Sequence, residues 1–179
     1  RTNLPMDRTS NKKEPRRFHA SQFGLLCPVD SPDGRNIGYI KSLSILAQIS
    51  TSVPSATVKT VVESSKLVIP LDRISTPLWD PRWTPVYINS ELVGASDEGE
   101  KLHAFLLGMR RSGKLNMSVS LSWNRLNNTY TIMCDGGRPI RPVYREGTTS
   151  VDMLGKGWSE ILNHVDYIDA AETDTLRLS

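Results

Sequence analysis

Three residue types near the front of this 179-residue chain invite a catalytic reading: His19, Cys27 and Asp30 could supply a base, a nucleophile and an orienting carboxylate. A thiolate needs a base in hydrogen-bond contact and a third group orienting that base, and closeness in sequence supplies neither. Cys27 stands between Leu26 and Pro28, the setting of a small buried hydrophobe, so a cysteine hydrolase is disfavoured. Asp30 and Asp33 could pair on magnesium, but aspartates in a proline-rich loop more often hydrogen-bond their own backbone. The soft ligands His19, Cys27, His103, Cys134 and His164 form no Cys-x-x-Cys or His-x-x-x-His pair, so no metal site is expected. Gly34 and Gly38 flank Arg35-Asn36-Ile37 without a GxGxxG or GxxxxGK[ST] phosphate cradle. Trp79 and Trp83 could stack on bases, although pinning a proline-rich connector is the favoured role.

Charge is more informative than any of these. Residues 1–17 hold Arg1, Arg8, Lys12, Lys13, Arg16 and Arg17 against Asp7 and Glu14. Residues 101–145 are also basic, with Arg110, Arg111, Arg138 and Arg145 among them and Asp135 as the one acid. The tail reverses the sign through Asp152, Glu160, Asp166, Asp169, Glu172 and Asp174. This segregation suggests a polyanion on one side and a basic protein on the other. With 38% hydrophobic and 23% charged residues, wholesale disorder is not expected. No run approaches the roughly 18 apolar residues that span a bilayer, so no membrane partner is expected. Two cysteines exclude a disulfide scaffold and point to a reducing compartment. Opening on Arg1, without a signal peptide, the chain reads as a piece of something longer.

The elements that must position these residues are legible in part. Residues 1–15 read as a polar loop, and Pro28 to Gly34 as dense turn chemistry. The apolar stretch Ile37 to Ile49 reads as a buried strand or short helix, and Ala56 to Glu63 has near-helical spacing. Residues 70–85, with four prolines, read as an extended connector. A hairpin is expected around Asn89-Ser90-Glu91. A helix comes next, with Asp97 to Glu100 at its start, Leu102, Phe105, Leu106 and Met109 as its apolar stripe, and Ser112-Gly113 as its stop. Val119, Leu121 and Trp123 alternate with polar residues as in a half-buried strand, and Thr129 to Cys134 forms a second. Pro139 to Tyr144 reads as an edge strand, Trp158 to Val165 as a short helix, and Asp166 to Ala170 as a last strand. Residues 86–144 therefore make an α+β unit. On these grounds alone the chain is a basic-loop α+β domain suited to nucleic acid, with no catalytic centre of its own.

The run from His19 through Gly24, Cys27-Pro28, Ser31-Pro32-Asp33-Gly34 and Gly38 to Leu43 resembles the second-largest (β-type) subunit of multisubunit DNA-directed RNA polymerases. The family pattern is H-x-x-x-x-G-x-x-C-P-x-x-[ST]-P-[ED]-G-x-x-x-G-L-x-x-x-L after a basic residue. Val86 to Gly94, Arg110-Arg111-Ser-Gly-Lys114, Cys134 to Pro142, Trp158 to Leu162 and Val165 to Glu172 are similar to the downstream stretches of eukaryotic, archaeal and viral members. The resemblance is strongest over residues 16–43 and 130–172, weak over 50–84, and favours a eukaryotic or large-DNA-virus source.

The resemblance implies a fold class of α+β. An irregular proline-rich fork loop and fork segment (1–50) precede an external 2-like α+β domain (51–179) with a mostly antiparallel sheet. It implies a segment that helps form the active-centre cleft for template-directed RNA synthesis and is not catalytic alone. Mg2+ would be held mainly by aspartates of the largest subunit. Arg16 falls where the family places an arginine facing incoming nucleotide and template, a task that suits a planar, permanently charged guanidinium. Pro32, Asp33, Gly34 and Arg35 fall on the loop lining the RNA 3′ end and substrate. Members more often carry Glu at Asp33 and an uncharged residue at Arg35. Arg1, Arg8, Lys12, Lys13 and Arg17 fall near downstream DNA, where phosphates attract cations regardless of sequence. Implied partners are the largest subunit, the other polymerase subunits, the remainder of the β-type subunit, DNA template, RNA and NTPs. The location would be intracellular: the nucleus or, for a viral enzyme, the cytoplasm or virion. The alternative is a free-standing basic nucleic-acid-binding module.

Overall fold

The computed structural model describes residues 1–7, 9, 11–74, 80–145, 155–157, 160, 161 and 164–176. Arg8, Pro77, Trp79 and Trp158, each singled out by the sequence, lie outside the described residues.

The first fifty residues are built from short pieces. Strand β1 (Thr2–Asn3) is followed by single 3-10 turns at Glu14–Arg16, Ala20–Gln22 and Gly34–Asn36 and then by strands β2 (Ile40–Lys41) and β3 (Gln48–Ile49). The polar leader is tied down at its start: β1 pairs antiparallel with β2, and the Leu4 amide donates to the Tyr39 carbonyl at 2.9 Å. Residues 37–49 are not the buried strand or helix their apolarity suggests. Tyr39 is fully buried, but Ile37, Leu46 and Ile49 are exposed and Ile45 is 97% exposed. Gly38 at φ +74 interrupts any strand, and the Ala47 amide closes a turn onto the Ser44 carbonyl.

Helix α1 (Ser55–Ser64) forms where near-helical spacing placed it, burying Val58 and Val62 one turn apart. The main sheet contains β4 (Ile69–Pro70), β5 (Thr84–Ile88), β6 (Glu91–Ser96), β7 (Ser120–Asn124) and β8 (Thr129–Met133). Its order is β4-β6-β5-β8-β7, antiparallel except for the parallel β5–β8 pair. Helix α2 (Gly99–Arg111) supplies Leu102 and Leu106 to a core shared with Val58, Val62, Val86, Leu121 and Ile132. Each such fully buried aliphatic side chain contributes about 1.5–3 kcal/mol through area removed from water. The prolines of the connector sit where a missing N–H is tolerated: Pro70 lies on edge strand β4, and Pro85 precedes the residues of β5 that pair with β8. Trp83 is half-buried, its carbonyl accepting from Asn128 Nδ2 at 3.0 Å.

The β5–β6 turn is tighter than its sequence indicates. Asn89 and Ser90 both take positive φ (47° and 71°), the mirror-image turn that matches strand twist. Asn89 also locks the turn to the end of β8, its Oδ1 accepting from the Cys134 amide at 2.9 Å. A serine Cβ in this region is strained. Ser90→Gly is therefore expected to stabilise the chain by about 0.5–1 kcal/mol, read as a higher midpoint in chemical denaturation.

Strand β9 (Pro139–Tyr144) is not an edge strand. It is the middle of a second sheet, ordered β10-β9-β3, with β10 being Val165–Ile168. Its prolines are tolerated because the two neighbours divide it: β3 pairs with Pro139–Ile140 and β10 with Arg141–Tyr144, so each half keeps an open flank. Helix α3 (Ala170–Thr175), unannounced by any strong periodicity, is capped by Asp169 and lies over β7. That packing buries the polar face of β7 as well: Ser120 and Ser122 are buried, and Ser122 Oγ donates to the Ala171 carbonyl at 3.2 Å. Alternation indicated a strand with one wet face; α3 covers it.

Candidate functional site

Arg16 is the best-positioned cation of the front segment. Its Nη1 donates to the Arg35 and Ile37 carbonyls, each at 2.9 Å, and its guanidinium carbon lies 4.0 Å from the Tyr39 ring centroid. The proximity to residues 35–39 depends on Gly38, because a Cβ there would stand 2.5 Å from Arg16 Cα and nearer still to its carbonyl oxygen. Arg16 and the Pro32–Arg35 bend, separated in sequence, are thereby one unit. Pro32 is half-buried, while Asp33, Gly34 and Arg35 are exposed and Gly34 takes φ +73. Gly38 is anchored in turn, its amide donating to Ser31 Oγ at 2.8 Å.

Arg1, Lys12, Lys13 and Arg17 are exposed. Arg17 meets Glu14 at 3.3 Å with both side chains largely in solvent, an ion pair of little energetic weight. The hydrolase constellation does not assemble. His19 Nδ1 is engaged with Ser21, at 2.8 Å to Oγ and 3.2 Å to the amide, while Cys27 Sγ accepts from the Asp30 amide at 3.4 Å. Burial pushes the Cys134 thiol up, away from thiolate chemistry. His103 Nδ1 shares a 3.0 Å hydrogen bond with Tyr130 Oη, a structural histidine whose burial holds its pKa down.

The acidic tail corrects the expectation of a surface for a basic partner. Its central carboxylates face inward, onto the basic stretch. Arg110 Nη1 meets Glu172 Oε1 at 2.7 Å with side chains only 5% and 3% exposed. The same Arg110 atom donates to the Val119 carbonyl at 3.1 Å, and Glu172 Oε1 accepts from the Leu121 amide at 3.1 Å. Arg138 pairs with Asp169 at 2.6 Å and donates to the Ser118 and Met133 carbonyls. Arg111 and Arg145 share Asp166 at 2.6 and 3.2 Å. Burial alone would raise the Asp166 carboxyl, but the two guanidinia more than offset it and hold the pKa below the ordinary range. At Glu172 burial prevails over Arg110 and pushes the pKa up to about 7. Glu172 Oε2 has no hydrogen-bond partner among the described residues, so nothing on that side favours the anion.

Comparisons with known proteins place this arrangement. Residues 1–49 match the family model described as RNA polymerase Rpb2, domain 3, and residues 86–145 that of RNA polymerase Rpb2, domain 4. DNA-directed RNA polymerase subunit Rpo2 of Sulfolobus acidocaldarius is 34% identical over 151 residues, 78% of this chain and 13% of that protein. The chain belongs to the family of second-largest RNA polymerase subunits. DNA-directed RNA polymerase II subunit RPB2 of Meyerozyma guilliermondii is 27% identical, covering 100% of this chain and 17% of its own length. DNA-directed RNA polymerase III subunit RPC2 of Drosophila melanogaster is 30% identical over 79% of this chain and 12% of its own. The chain thus spans 12% to 17% of the relatives it matches. Within this RNA polymerase subunit segment, the Arg16 unit lies in the domain 3 match and the β5–β9 region in the domain 4 match.

Two features of the polymerase segment escaped sequence reasoning. Tyr39 lies within the motif run, where the family pattern has leucine, and had no assigned role, since nothing local indicates that its ring lies beneath Arg16. The inward pairing of the tail had a usable signal, opposite charge runs of similar size within one small domain, which also fits two external partners. No helix among the described residues is long and apolar enough to cross a membrane.

Proposed function

We propose that this segment borders the active-centre cleft of a DNA-directed RNA polymerase and acts in template-directed RNA synthesis only within the assembled enzyme. The observation that carries this reading is the Arg16 guanidinium, clamped by two backbone carbonyls beside the exposed Asp33-Gly34-Arg35 bend. A fixed, permanently charged, multi-donor group beside an exposed, proline-stiffened bend suits an incoming nucleotide and its template. In this reading Pro32, Asp33, Gly34 and Arg35 line the RNA 3′ end and substrate, and Arg1, Arg8, Lys12, Lys13 and Arg17 lie along downstream DNA. Their contacts to phosphate are sequence-independent and weaken with salt.

The described residues bring together no group of three His, Cys, Asp or Glu side chains able to hold a metal. This reading places Mg2+ on the largest subunit. Partners are that subunit, the other polymerase subunits, the remainder of the β-type chain, DNA, RNA and NTPs. The location is intracellular, nuclear or, for a viral enzyme, cytoplasmic or in the virion.

In the assembled polymerase, Arg16→Ala is expected to slow nucleotide addition about tenfold or more, the loss of a charge-assisted hydrogen bond, while subunit assembly survives. An unchanged elongation rate in a fully assembled enzyme would overturn the assignment. Strong, salt-dependent binding of DNA by the isolated chain, with no effect of Arg16→Ala on the polymerase, would favour a free-standing module instead.

A further inference from the structure

We propose that the face around strand β10 docks a segment of the remainder of the β-type subunit, one carrying apolar side chains beside an Asp or Glu; this rests on the polymerase reading above. Two openings meet there, and Val165 and Tyr167 of β10 line both. One is a groove of about 310 Å³ between the Ser44–Ala47 turn and the half of β9 that β3 leaves unpaired. Its walls include Ile45, Leu46 and Tyr144, which are 97%, 65% and 66% exposed. No charged side chain lines it among the described residues. The other is a cavity of about 360 Å³ at the end of α2, lined by Arg111, Arg145, Met117 and Asp166, the carboxylate that the two arginines share.

The cavity carries uncompensated positive charge. Both guanidinia reach Asp166 through Nε and Nη2, so two cations share one anion. Their side chains stay 37% and 24% exposed, and among the described residues neither Nη1 makes a hydrogen bond, so a second carboxylate can be received there. A run of phosphates would find nothing in the uncharged groove, and a purely apolar peptide would leave the guanidinia unanswered. A polypeptide segment with both kinds of side chain satisfies both openings. Its source follows from length and polarity. The chain spans 12% to 17% of its relatives, so most of such a subunit lies outside it. Apolar faces of this kind belong to permanent contacts, which resemble a domain core cut in half, and a segment of the same subunit is always at hand. The groove also joins Ile45 and Leu46 of the domain 3 match to Pro142–Tyr144 of the domain 4 match, so its occupant ties the two together.

The test places a photoreactive phenylalanine analogue at Leu46 or Tyr144 in the assembled polymerase and maps the crosslinked peptide by mass spectrometry. Both positions are exposed and tolerant of change, and Ile45 serves where either variant fails to assemble. The expected product joins these positions to a peptide of the same β-type subunit outside this segment, with an Asp or Glu close to the crosslink. Arg145→Glu is expected to cut the yield about tenfold, the loss of a charge-assisted contact. Reversing the partner's acid to Lys should restore it, which a merely structural effect on Asp166 would not allow. Crosslinks to the largest subunit, another subunit, nucleic acid or a second copy of this chain would overturn the proposal. So would the absence of crosslinks, a peptide without a nearby acid, or a yield indifferent to Arg145→Glu or not rescued by the reversal. The elongation rate of Arg16→Ala tests the cleft reading separately, so either can fail alone.

Discussion

Arg110→Ala is expected to destabilise the chain by about 3–5 kcal/mol at pH 8, and by clearly less at pH 5, in chemical denaturation at the two values. The guanidinium is buried against Glu172, and removing it leaves a carboxylate without its counter-charge in a dry site. The Val119 carbonyl loses a donor in the same step. The pH dependence follows from burial, which pushes the Glu172 pKa up to about 7 from an ordinary value of 4.5. Between those values the folded chain holds a proton that the unfolded chain releases. The stability contributed by this group is therefore fully present below about pH 4.5 and is lost as pH rises through about 7. At pH 5 the carboxyl is largely neutral, so losing Arg110 strands little charge; at pH 8 the variant must either bury an unpaired carboxylate or take up a proton from a solvent where protons are scarce, and both cost stability. Replacing both partners, Arg110→Met with Glu172→Met, should recover most of the loss, because neither charge is then buried. Recovery should be incomplete, since the Leu121 amide and the Val119 carbonyl still lose a partner. Equal destabilisation by Arg110→Ala at pH 5 and pH 8 would show that the pair is not titrating as described.

Gly38→Ala is expected to cost at least about 2 kcal/mol and to inactivate the Arg16 unit, lowering polymerase activity at least as far as Arg16→Ala does. Two effects add. The backbone at φ +74 is strained for any residue with a Cβ, at about 1–2 kcal/mol. The added methyl would also meet the backbone of Arg16, 2.7 Å from its carbonyl carbon, and backbone atoms cannot swing aside as a side-chain end can. Either the 16–38 contact opens, releasing Arg16 from the Arg35 and Ile37 carbonyls, or the bend shifts. Gly34→Ala is the control: its φ is similar, +73, but the space around it is open, so it carries the strain without the collision. Indistinguishable activity for the two variants would mean that the close approach at Gly38 is not what seats Arg16.

Much of the fold was legible because its signals are local. Helix α2 follows from an apolar stripe repeating every three to four residues, with acids at one end and arginines at the other. The β5–β6 and β7–β8 hairpins follow from short apolar runs separated by Asn-rich turns. Where the local signal was apolarity alone it misled. Residues 37–49 are apolar enough for a core element, yet Ile45 and Leu46 occupy an exposed turn set by the chain's reversal at Ser44–Ala47. Strand β9 was identified but misplaced, because its prolines imply an edge unless two short neighbours share its length.

From the residue order alone came the α+β class, the principal helices and hairpins, and, through the run from His19 to Leu43, the polymerase family and the candidate residues Arg16 and Pro32–Arg35. Tertiary structure decided that Tyr39 lies under Arg16 and that Glu172 reaches Arg110 across 62 positions, turning the central carboxylates of the acidic tail into internal partners of the basic stretch. Periodicity, turn chemistry and capping act over a few residues and are written into neighbouring side chains. Charge pairing and ring contacts act through space, and only the packing of α3 over β7 and of residues 35–39 against Arg16 brings those partners within a few ångströms.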